Sequence, residues 1–94
     1  MVASPLAART DRLPLDNDAA ARRVEQAARM LESQDANLYR VRAYRTAAQT
    51  VRELDRPAVE ILREGGRAAL RELRGIGDRL AVTIEQLLLT GHIP

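Results

Sequence analysis

Ninety-four residues, 46% of them hydrophobic and 30% charged, make one small domain and leave no room for a second, catalytic one. All 15 basic side chains are arginine, so amine chemistry at a lysine is excluded and the net charge of +2 rests on guanidinium groups alone. The absence of cysteine and the single histidine, His92, exclude disulfides, thiolate nucleophiles and histidine-centred zinc or triad sites, and no apolar run exceeds three residues, far short of a membrane-spanning helix.

Residues 1–15 carry two prolines, scattered charge and no hydrophobic period, and are expected to form a flexible tail ahead of a domain over 16–94. They lack the basic start and apolar block of a secretion signal, so a cytoplasmic protein is expected, nucleoid-associated if its host is bacterial. Asp16, Asn17 and Asp18 are cap and first-turn residues, and Val24, Ala27, Ala28 and Leu31 follow at helical spacing, which predicts a first helix over 17–33. After a polar connector at 34–37, Val41, Tyr44, Ala48 and Val51 mark the inward side of a second helix over about 38–54. On it Arg42, Arg45, Gln49 and Arg52 fall on one outward stripe.

Pro57 suits the first turn of a short third helix, which the Gly65-Gly66 pair is expected to end. Residues 68–73 make only about two turns, marginal alone, and must be held by packing of Leu70 and Leu73. A final helix over about 78–90 presents Leu80, Ala81, Ile84, Leu87 and Leu88 to the core, and Gly91 closes it. Strand-like alternation is absent throughout, so the expected fold class is all-α, a compact bundle of four to five short helices.

Charge is unevenly spread. Residues 40–79 hold ten arginines against six acids, whereas 1–39 hold five against six. A basic stretch of this kind attracts anions, and the guanidinium fork suits phosphate. Between the last two helical segments stands Leu73-Arg74-Gly75-Ile76-Gly77. Gly75 can take a positive φ, Ile76 can wedge between helices, and Gly77 lets a foreign surface approach the backbone. Such a turn exposes a row of amide N–H groups at the mouth of the final helix, where phosphate binds, with Arg79 on the first turn beside it and Asp78 partly opposing. Leu70, Leu73, Gly75, Ile76, Gly77, Ala81, Ile84 and Leu88 together match the helix-hairpin-helix pattern, a DNA-binding element that does not read sequence.

A more particular likeness lies in Arg42-Ala43-Tyr44-Arg45-Thr46-Ala47-Ala48, with Asn37 to Val41 before it, the hairpin after it and Leu89-Thr90-Gly91 at the end. Together these resemble the amino-terminal domain of the X-family DNA polymerases, the DNA polymerase beta group. The resemblance implies a DNA-repair module that grips phosphate backbone and the 5′-phosphate of gapped or nicked DNA. It implies a phosphate pocket at Arg40, Tyr44 and Arg79, with Arg42, Arg45, Arg74 and the Gly75-Ile76-Gly77 backbone as further DNA contacts. For Tyr44 a buried core ring is equally expected, and both hold if the hydroxyl alone reaches the surface. It also implies a monovalent cation, Na⁺ or K⁺, on the main-chain carbonyls of Arg71, Leu73 and Ile76; no other cofactor is expected.

Two departures matter. Some members of that group form a Schiff base on a lysine in the final helix, and the matching position here is Thr83, so lyase activity is expected to be absent or trace. With no room for a nucleotidyl-transfer domain polymerase activity is not expected either, and the chain is not read as an enzyme. Only the terminal amine of Met1 offers a substitute. Arg74 stands where the pattern often has proline, which makes the turn less rigid. The alternatives are a helical module that docks a protein, or the front domain of a longer polymerase, whose chain would continue near residues 90–94.

Overall fold

The computed structural model describes residues 15–93. Among them lie four helices and no strand: α1 (Asn17–Ser33), α2 (Leu38–Arg52), α3 (Ala58–Arg71) and α4 (Asp78–Thr90), so the all-α expectation holds. The boundaries follow from the caps. The Asp16 side chain accepts the Ala19 N–H at 2.7 Å, and that of Asn37 accepts the Tyr39 N–H at 2.7 Å. At the end of α1, Asp35 takes φ 57°, and the Asp35 and Ala36 amides bond back to the carbonyls of Glu32 (3.1 Å) and Leu31 (2.9 Å). That is a Schellman closure, made here with aspartate in the left-handed position.

Two expectations need correction. Leu15, read as the end of the tail, is only 5% exposed and belongs to the core; the rest of that stretch lies outside the described residues. The second helix stops at Arg52, and Glu53 caps it. The Gly65-Gly66 pair does break the third helix, as expected: Gly66 takes φ 70° and ψ −165°, outside the helical region, so α3 consists of two helical pieces, the second of them residues 67–71.

The core is aliphatic. Val24, Val41, Val51, Leu70, Ile84 and Leu87 are its largest fully buried members, and buried alanines lie on both α1 (Ala20, Ala21, Ala28) and α2 (Ala47, Ala48), two helices that pack extensively against each other. Alanine at facing positions brings two helix backbones close. Helix α3 starts at Pro57, which offers no side-chain cap. The cap comes from α1 instead: Asn17 Oδ1 accepts the Ala58 N–H at 2.8 Å while Asn17 Nδ2 donates to the Arg56 carbonyl at 2.9 Å. Asn17→Ala removes both bonds and is expected to cost about 1–3 kcal/mol, read as a lower midpoint in urea unfolding.

Candidate nucleic-acid interface

The turn between α3 and α4 is built from backbone bonds. Glu72 and Leu73 amides bond to the carbonyls of Ala69 (3.2 Å) and Leu70 (3.1 Å), and the Ile76 amide bonds to that of Leu73 (3.1 Å). Gly75 takes φ 76°, the Ile76 side chain is buried at 3% exposure, and Gly77 is extended at φ −92°, ψ −168°. Gly77 is the N-cap of α4 and has no side chain with which to cap it, so the amides of Asp78, Arg79 and Leu80 precede the first helical bond, Ala81 N–H to Gly77 carbonyl at 2.9 Å. A β-carbon on Gly77 would meet nothing within 4 Å. The space beside Gly77 is therefore open, and Arg74 and Arg79 are exposed on either side of the glycine turn. Asp78, the acid beside it, is drawn into an exposed pair with Arg71 Nη1 at 3.2 Å.

The hairpin leans on α2. Thr50 Oγ1 donates to the Arg74 carbonyl at 2.7 Å, and a β-carbon on Gly75 would stand 2.7 Å from Thr46 Cγ2. Neither threonine was a candidate in the sequence. Their only signal is the i, i+4 spacing, which puts them on one face of α2 without saying what that face meets.

The arginine stripe divides. Arg45 pairs with Glu32 of α1 at 2.8 Å, and Arg52 pairs with Glu25 at 2.8 and 3.2 Å, so both bind the two helices together. The expectation that Arg45 stands ready for DNA meets a competing carboxylate. Arg42 is exposed and Arg40 lies 5.9 Å from the centre of the Tyr44 ring, a cation–π distance. Tyr44 is 6% exposed, so its ring belongs to the core, and with Arg40 it lines a cleft of about 430 Å³ together with Arg23, Gln26, Gln34 and His92. Arg79 is not among the residues lining that cleft, so the structure gathers Arg40 and Tyr44 in one place and leaves Arg79 at the hairpin mouth. Thr83, at the lyase position of the resemblance, is 8% exposed and its hydroxyl donates to the Arg79 carbonyl at 3.1 Å.

The ion pairs set a pH dependence. The hydrogen bond from Arg52 holds the Glu25 carboxyl below its ordinary value, and the one from Arg56 does the same for Glu64. A group whose pKa is depressed on folding lends stability above its unfolded value, about 4.3 for glutamate, and loses it as pH falls through the folded value. Wild type is expected to be more stable than Glu25→Gln from neutrality down to about pH 5, with the difference vanishing towards pH 3. Urea midpoints across that range check it.

Comparison with known protein families accounts for this architecture. The helix-hairpin-helix domain family covers residues 15–93, and the chain belongs to that family. Domains of this class generally bind DNA. No curated protein and no solved structure matches the chain.

Proposed function

We propose that this domain holds the phosphate backbone of DNA without reading bases, and that it prefers a gap or nick carrying a 5′-phosphate. The observation that carries the proposal is the uncapped start of α4 behind a glycine turn, flanked by Arg74 and Arg79. Unsatisfied amides at the positive end of a helix dipole receive phosphate oxygens, and the guanidinium forks add full charge. Arg42 contributes backbone attraction, and the Arg40–Tyr44 cleft supplies a place for a terminal phosphate.

The polymerase-like sequence pattern supports a DNA-repair setting and an ancestry shared with the X-family amino-terminal domain. A monovalent cation on the carbonyls of Arg71, Leu73 and Ile76 is compatible with the donor set, since carbonyl oxygens are hard ligands and that of Leu73 keeps a lone pair after accepting the Ile76 amide. With threonine at residue 83 and no lysine in the chain, the domain acts by binding and not by imine chemistry, and borohydride trapping on an abasic 5′-end is expected to yield at most a trace adduct, through the terminal amine of Met1.

The test is a titration of gapped duplex with and without the 5′-phosphate. Wild type is expected to bind weakly, on the order of 10⁻⁴ to 10⁻⁶ M near physiological salt, and more weakly as salt rises. Arg79→Ala is expected to weaken binding about five- to tenfold. No binding, or equal affinity for all combinations, sinks the proposal. A second reading, docking of a protein, is favoured by Met30, Leu38 and Tyr39, which stand exposed at the end of α1 and the start of α2. Salt-insensitive binding to a protein, with no DNA affinity, is its signature.

A further inference from the structure

The proposed grip needs a hairpin of fixed shape, yet the turn contains little that is stiff. Arg74 has no ring to lock its φ, and Gly75 and Gly77 are the most permissive of residues. The restraint comes from α2. The Thr50 hydroxyl fixes the carbonyl that precedes Gly75, at 2.7 Å, and the Thr46 methyl stands against the α-carbon of Gly75 itself. One threonine therefore sets a direction and the other sets a distance.

We infer that Thr50 is the positioning residue of the interface: its hydroxyl bond to the Arg74 carbonyl orients the backbone from Arg74 to Gly77 and so aims the first amides of α4 at a phosphate. The inference rests on the DNA reading above. Thr50 touches no DNA in this scheme and acts only through the carbonyl. That carbonyl lies at the surface, so in a variant lacking the hydroxyl, water takes the donor's place and global stability hardly changes. Water satisfies the oxygen without fixing where it points, and the hairpin then spends part of its time misaligned. Affinity falls by the fraction of time the aligned form is lost.

Thr50→Val keeps the shape and removes the donor, while Thr50→Ser keeps the donor. The test uses the whole chain, a 5′-phosphorylated gapped duplex, urea unfolding, and amide hydrogen exchange at Ile76, whose N–H closes the turn onto Leu73. Expected for Thr50→Val are binding about three- to tenfold weaker, faster exchange at Ile76 and an unfolding midpoint close to wild type, with Thr50→Ser within about twofold of wild type in affinity. Should the valine variant fail to fold, Thr50→Ala is judged by the same criteria. Wild-type affinity in the variant lacking the hydroxyl overturns the inference, as does a loss that serine fails to restore. If wild type itself binds no DNA, the DNA reading fails, and the positioning role is then decided by exchange alone: faster at Ile76 in valine and restored in serine upholds it, unchanged overturns it.

Discussion

Gly75→Val is expected to destabilise the domain by about 2–5 kcal/mol, because two independent costs meet at one atom. The first is conformational. At φ 76° a side chain's β-carbon crowds the following carbonyl, which costs about 1–2 kcal/mol and more for a β-branched residue. The second is steric: the new β-carbon would stand 2.7 Å from Thr46 Cγ2, so either that side chain must rotate away or the turn must shift. The control is Gly77→Ala. There the backbone is extended and the added methyl meets nothing within 4 Å, so the stability cost stays below about 1 kcal/mol. The same methyl stands where a phosphate must approach, so Gly77→Ala loses DNA affinity while keeping its fold. Urea unfolding and DNA titration of both variants separate the two roles; a stable Gly75→Val would show that the turn is not built as described.

Leu70→Ala is expected to cost about 2–5 kcal/mol, from a domain whose whole stability is on the order of 5–10 kcal/mol. Leu70 is 0% exposed and sits on the short helical piece that follows the Gly66 kink. Five residues of helix have no stability of their own, so their order depends on the side chain that anchors them. Without it, both the core and the entry to the hairpin loosen together. Leu73→Ala, at a half-buried position, is expected to cost much less. Thermal or urea unfolding measures the difference, and near-equal effects of the two would mean that the kinked segment is held elsewhere.

Much of this was written locally in the chain. Asp16 announces a helix start through a side chain that bonds within its own first turn, Gly91 announces an end, and the Gly75-Ile76-Gly77 spacing announces the hairpin together with its buried wedge, whereas Asn37 reads as part of a polar connector and proves to be a cap. The Gly65-Gly66 pair announces the break inside α3 as well, through a glycine with positive φ. Leu15 reads as tail when only its neighbours in sequence are considered. The arginine stripe looked uniform because periodicity gives a direction and no partner: the acids that bind Arg45 and Arg52 lie a helix away, on α1. The caps on α3 and the tie on the hairpin cross still longer separations, from Asn17 to Ala58 and from Thr50 to Arg74, and no local rule finds them.

The alanine seam between α1 and α2 has a thermodynamic consequence. A methyl group has no rotamers to lose, so burying Ala20, Ala21, Ala28, Ala47 and Ala48 orders no side-chain torsions at those positions. That part of the core is thus ordered at little entropic cost, whereas the exposed arginines of the turn, Arg74 and Arg79, keep torsions that a ligand would have to order.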